Sequence, residues 1–210
     1  ALTNADVEIA SYPFTTKEPV IGMMEYNKAQ IQLVEIPALI EGSSQGKARG
    51  TEFLGLIRNA DAVALVLDAN NALYEFKVLI KELSDADILL NEQKPKIVIK
   101  KSEFQGLAIV GEKYLQMPKK DLESYLKKQG LHNVSVIISE PTNYKKIDMV
   151  LNKRLTYKKA LAILVDKFGN ANVPEEISKK MKVLVVAKLD EEEKKKLKDA
   201  LFELLDIVLV

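Results

Sequence analysis

Two adjacent hydroxyls, Thr15 and Thr16, stand between Pro13 and Pro19 in the stretch SYPFTTKEPVIGMMEY. The prolines restrict the backbone, and the stretch shows neither helical nor strand periodicity, so it reads as a stiff loop presenting two oxygens. The other groups able to do chemistry cluster at the ends of four short apolar runs: IQLVEI (31–36), AVALVLD (62–68), ALAILVD (160–166) and KVLVVAK (182–188). Glu35, Asp68, the pair Asp166 and Lys167, and the pair Ala187 and Lys188 lie at or just beyond those ends. In an open parallel sheet that is where ligands bind. The chain has no cysteine and one histidine, His132, which removes thiol catalysis, thiolate metal sites and histidine metal clusters. His132, between a Gly-containing turn and a strand-like run, reads as a turn residue.

The elements that must position these groups can be read from the same runs. The last three are nearly unbroken in aliphatic residues, the pattern of strands buried on both faces of a parallel sheet. Helical candidates lie between them: TEFLGLIRNA, EEISKKM and, most clearly, DEEEKKKLKDALFELL. In the last, Asp190 can cap the first turn, acids precede lysines, and Leu197, Ala200, Leu201, Leu204 and Leu205 share one face. Over 71–158 the character changes to alternating strands (KIVIKK, GLAIVG, NVSVIIS) and further helices, which suggests a smaller α+β module with an open sheet, inserted into a parent domain of residues 1–70 and 159–210. Its lysines, among them Lys94, Lys96, Lys100, Lys101, Lys119, Lys120, Lys127, Lys128, Lys145 and Lys146, could form a local basic face.

At 210 residues, 47% hydrophobic and 29% charged, the chain is long enough for one good core. A net charge of +1 provides no global attraction to nucleic acid or anionic lipid. No apolar run approaches a membrane span and no signal pattern opens the chain, so no membrane partner and a cytoplasmic location are expected.

With YPFTT, these segments resemble the GTPase domain of the Obg and developmentally regulated GTP-binding protein family, over nearly the whole chain. Residues 1–50 are similar to that family's stretch from the end of the first helix through both switch regions. LLNEQKPKIVIKKSEFQGLAIVG and GLHNVSVIISEPTNYKKIDMVLN are similar to the insertion of the developmentally regulated branch. The resemblance implies a P-loop-GTPase-like α/β fold, a mostly parallel sheet with helices on both faces, carrying the small inserted α+β domain. It also implies GTP or GDP with Mg²⁺ as ligands, and a ribosome- or RNA-associated partner rather than DNA. By that resemblance Thr15 or Thr16 would coordinate Mg²⁺ beside the γ-phosphate, as hard oxygen ligands.

The same comparison marks departures. Where the family has Asp-x-Pro-Gly, this chain has Glu35, Ile36, Pro37 and Ala38. Glu35 sets its carboxylate one methylene further out from the metal, and Ala38 adds a Cβ where the backbone approaches the phosphate. The guanine-reading Asn-Lys-x-Asp is replaced by Asp166, Lys167, Phe168 and Gly169, so the acid that would accept two N–H groups of the base is missing. Ser-Ala-Lys is replaced by Val186, Ala187 and Lys188, which retains the Ala187 amide. The string Leu151 to Arg154 (LNKR) continues a helix-like stretch and is no substitute. Gly-x-x-x-x-Gly-Lys-Ser/Thr occurs nowhere in the chain, and Gly46-Lys47 is followed by Ala48 where a hydroxyl is required. The resemblance begins just after the expected place of that loop, which implies a truncation. The expectation is a GTPase-like module impaired in guanine-nucleotide binding and hydrolysis, the alternative being a working GTPase whose phosphate loop lies upstream of residue 1.

Overall fold

The computed structural model describes residues 2–3, 18–169 and 172–206. Thr15 and Thr16 therefore lie outside the described residues. The chain divides into two compact units, Ala1–Glu92 with Thr156–Val210, and Gln93–Leu155.

In the first unit, β1 (Val20–Tyr26) and β2 (Ala29–Glu35) form an antiparallel hairpin. Its two-residue turn, Asn27 and Lys28, has positive φ at both positions (47° and 64°), which matches the twist of the strands it joins. Further along come α1 (Gly50–Asn59), β3 (Ala62–Asp68), α2 (Ala72–Asp85) and the short β4 (Ile88–Leu90). The second unit holds β5 (Ile97–Lys101), β6 (Leu107–Val110), α3 (Lys119–Lys128), β7 (Val134–Ile138) and α4 (Tyr144–Leu151). The first unit then resumes with β8 (Thr156–Val165), α5 (Glu175–Ser178), β9 (Lys182–Val186) and α6 (Glu191–Leu204).

The main sheet is parallel and organised about β8. One edge of β8 pairs with β3 from Lys159 to Val165. On its other edge β4 pairs with Thr156–Lys158 and β9 with Leu161–Val165. Between those two partners the edge is completed by a side chain: Asn91 Oδ1 accepts from Ala160 N–H (2.8 Å), and Asn91 Nδ2 donates to Ala160 C=O (2.9 Å) and Lys180 C=O (3.2 Å). Among the described residues, β1 and β2 hydrogen-bond as strands only to each other, and β3 only to β8.

The alternation of β8 shows why its sequence is aliphatic throughout. Ala160, Ala162 and Leu164 join a core with Phe53, Leu54 and Ile57 of α1, Phe76 and Leu83 of α2 and Ile177 of α5. Leu161 and Ile163 face the opposite way, into a core with Met24 and Ile31 of the hairpin and Leu197, Ala200 and Leu201 of α6. Helices thus cover both faces of the mostly parallel sheet. As its sequence implies, α6 is capped by Asp190, whose side chain accepts from Glu193 N–H (2.9 Å), with three acids in the first turn. The ring of Tyr26 meets that of Phe202 edge-to-face, centroids 6.0 Å apart, and its hydroxyl donates to Asp199, tying hairpin to helix.

The second unit spans 93–155 rather than the 71–158 drawn from composition. The difference is α2 and β4: α2 buries Phe76 and Leu83 in the parent core, and β4 is a strand of the parent sheet. In the second unit the sheet order is β5-β7-β6, with β5 antiparallel and β6 parallel to β7. One face packs Ile97, Ile109, Val134, Val136 and Ile138 against Leu122, Leu126 and Ile147.

The Asn91 amide generates a prediction. Asn91→Ala leaves the buried N–H and C=O of Ala160 unpaired, at about 1–3 kcal/mol for each unsatisfied group. Urea unfolding is expected to show a loss of roughly 2–4 kcal/mol, with Asn91→Asp, which keeps the acceptor, falling in between.

Candidate functional site

The carboxyl ends of three parallel strands meet at one edge. The register sets Asp68 beside Val165 and Val165 beside Val186. Backbone bonds extend this by one residue, from Ala69 N–H to Val165 C=O (3.1 Å) and from Asp166 N–H to Val186 C=O (2.9 Å). The segments 166–169 and 187–188, drawn from opposite ends of a 23-residue stretch of sequence, are therefore neighbours here. Next to them, Asp68 Oδ1 accepts from both the backbone and the side chain of Asn70, and Glu75 accepts from Asp68 N–H.

Of the sequence-expected residues, Asp166 is buried, and its Oδ1 accepts from Phe168 N–H (3.0 Å), a turn bond that orients the carboxylate toward its own loop. Lys167, Ala187 and Lys188 are exposed. Gly169 is exposed with φ 76°, and a Cβ there would meet nothing within 4 Å. The fourth position of the loop thus has room for a side chain and offers no acceptor. Glu35 is the last residue of β2, and Ala38 is an exposed residue of the loop after it. Among the described residues no group of three His, Cys, Asp or Glu side chains could by itself hold a metal ion.

The loop after β2 is held in a defined shape. Leu39 is buried in the core that α1 and α2 share, and Ser43, almost fully buried, accepts from Ile40 N–H at its hydroxyl (2.9 Å). Gly42 and Gly46 both adopt the left-handed region, φ 89° and 95°, bending the chain into two consecutive 3₁₀ turns. Gly50, which opens α1, lies so close to Ser43 that a Cβ would stand 2.2 Å from the Ser43 carbonyl oxygen.

A residue that sequence reasoning passed over fixes this loop. Glu82 of α2 is 2% exposed, and its two carboxylate oxygens accept from Gly42 N–H (2.8 Å) and Ser44 N–H (2.7 Å). Burial works to raise its pKa, but the Ser44 amide and hydroxyl and the Gly42 amide outweigh that, with a smaller contribution from Lys81, and hold it below the ordinary carboxylate value. In sequence Glu82 is one acid on an amphipathic helix. The available signal was its place beside Leu83 and one turn from Leu79, on the flank of the apolar face.

This loop generates three predictions. Glu82→Gln keeps the shape but presents an amide donor to one of the two N–H groups, so the Gly42 and Ser44 amides should exchange at least tenfold faster with solvent, read by hydrogen exchange. Because the folded pKa is depressed, this contribution is present above the ordinary value of about 4.3 and is lost as pH falls through the folded value, so the loop amides should lose protection only in acid. Ala48 holds φ 51° without being glycine. Ala48→Gly should therefore raise unfolding stability by about 1 kcal/mol, measured by denaturant titration.

Comparison with known proteins finds relatives of the chain. A family model described as a 50S ribosome-binding GTPase matches residues 1–101. An uncharacterized GTP-binding protein of Methanocaldococcus jannaschii is 38% identical over 156 residues, covering 73% of this chain and 40% of that protein. Developmentally-regulated GTP-binding protein 2 of Homo sapiens is 33% identical over 156 residues, covering 73% of this chain and 43% of the human protein. Developmentally-regulated G-protein 2 of Arabidopsis thaliana is 34% identical over 155 residues, covering 73% and 39%. The matched stretch thus covers about two fifths of the length of these relatives.

Proposed function

Since the chain belongs to the family of developmentally regulated GTP-binding proteins, as part of its GTPase domain, we propose that it is a translation-associated module of the cytoplasm with weakened hold on guanine nucleotide. The observation that carries this reading is Gly169. The loops from β8 and β9 are side by side at the ligand-binding edge, where Lys167 and the Ala187 amide remain. The position from which a carboxylate would accept the two N–H groups of guanine is an open glycine. Asp166 does not replace it, since one of its oxygens is engaged by Phe168 N–H. Charge-assisted hydrogen bonds of about 1.5–3 kcal/mol each are absent, which lowers guanine affinity at least tenfold.

The fit to the rest of the ligand is partial. Glu35 could hold a water of a magnesium ion, which when bound neutralises phosphate charge, and Lys167 and Lys188 supply positive charge at the sheet edge. The base acceptor does not fit, since Gly169 offers no side chain. The association with translation is supported by the description of the matching family model, a 50S ribosome-binding GTPase. A GTPase that hydrolyses GTP with a phosphate loop upstream of residue 1 is the second reading, favoured by retention of Lys167 and Lys188 beside the Ala187 amide. The open reading frame around this segment distinguishes the two.

Titration with fluorescent GTP and ATP analogues in the presence of Mg²⁺ tests the proposal. The chain is expected to show no submicromolar, guanine-selective binding. Gly169→Asp, placed where there is space and where Asp tolerates positive φ, should shift the guanine-to-adenine preference by roughly tenfold. Tight guanine-selective binding by the unmodified chain overturns the reading.

A further inference from the structure

The near-neutral total conceals a partition. Gln93–Leu155 carries 13 lysines and arginines against 6 acids, a net of +7, so the rest of the chain is left with 18 against 24, a net of −6. The three-stranded sheet of this unit has one face covered by α3 and α4, and the other is uncovered among the described residues. On the uncovered face the register aligns Val98, Ile137 and Val110 in a row across all three strands. They are 44%, 40% and 57% exposed. The adjacent row is Lys100, Ser135 and Ala108. Lys96, two residues before Val98 on the same side of the pleat, is exposed as well, and its C=O accepts from Ser139 N–H, which continues the pairing. No acid occupies an uncovered-face position on these strands.

The loop from β5 to β6 adds an aromatic. Asn133 accepts from Gly106 N–H (2.9 Å) and, through its carbonyl, bonds Ser102 N–H (3.0 Å), while Ser102 Oγ accepts from Phe104 N–H (3.1 Å). The loop is built, yet its Phe104 ring is 82% exposed. Unlike Lys119 and Lys146, which pair with Glu112 and Glu140, Lys100 forms no ion pair among the described residues.

We propose that the uncovered face of the β5-β7-β6 sheet, with Lys96, Lys100 and Phe104, docks single-stranded RNA. The lysines, about 13 Å apart along one strand, meet phosphates roughly two nucleotides apart, and the apolar row and Phe104 ring receive unstacked bases. Charge complementarity selects a polyanion over an apolar protein segment, and the choice of RNA over DNA rests on the translation-associated reading above. A nucleotide-free measurement keeps the two proposals separable.

The test is fluorescence anisotropy of a short unstructured RNA oligonucleotide titrated with the full chain, without GTP, at about 50 and about 200 mM salt. The unmodified chain is expected to bind with affinity that falls as salt rises. The double variant Lys96→Ala/Lys100→Ala should weaken binding about tenfold and lower the salt slope by about 1–2, and Phe104→Ala should weaken it severalfold with the slope unchanged. Lys195→Ala/Lys198→Ala, on α6, should match the unmodified chain. All five side chains are at the surface or partly so, and circular dichroism verifies folding. The proposal is overturned if RNA binding is absent or insensitive to salt. It is equally overturned if the face variants bind as well as the unmodified chain, or if a DNA oligonucleotide of the same sequence binds equally well.

Discussion

Each strand pairing in the parallel sheet is a pairing with β8. Its ten residues accept β3 along one edge and β4, the Asn91 amide and β9 in succession along the other, while its side chains alternate between two cores. A shift of one residue would exchange Ala160, Ala162 and Leu164 for Leu161 and Ile163 across the sheet, filling the close-packed α1–α2 side with the wrong volumes. That single register also brings the loops after β8 and β9 together. The edge at which those loops meet is therefore a consequence of how one strand is packed.

The chemistry left at that edge is uneven. The backbone positions of the loops after β8 and β9 are kept by the sheet, whose strands are aliphatic throughout. The side chains are free to vary, since Lys167, Phe168, Gly169 and Lys188 are exposed and support no core. Substitutions at these exposed positions therefore carry little cost in stability. The loop after β2 behaves differently: its carboxylate anchor is buried, its serine is buried, and Gly50 admits no side chain, so its shape is part of the fold.

Much of this was legible in the sequence. Unbroken aliphatic runs identified β3, β8 and β9 as strands of the parallel sheet, though only β8 is buried on both faces and β3 exposes Ala64 and Val66 on one, and Asp190 with three following acids marked the start of α6. The boundary of the inserted unit was not legible. β4 is three residues long, too short for a period, and nothing in TYKK at 156–159 shows that β8 begins before its aliphatic run. Glu82 and Asn91 were missed for a related reason. Each acts on backbone groups distant in sequence, 40 and 69 residues away, and no local pattern encodes such a partner. Composition likewise averaged a basic unit with an acidic one and returned near-neutrality.

Asn91 carries an implication for how chains of this kind diversify. It finishes the edge of β8 two residues before the chain departs for the second unit, so the pairing of β8 is specified wholly by residues that lie before and after the excursion. The parent sheet is in effect a socket, wired shut at its rim by one amide. What is plugged into it can be lengthened, recharged or exchanged without resetting the strands, which is how one unit can accumulate a surplus of lysine while its host keeps the opposite sign.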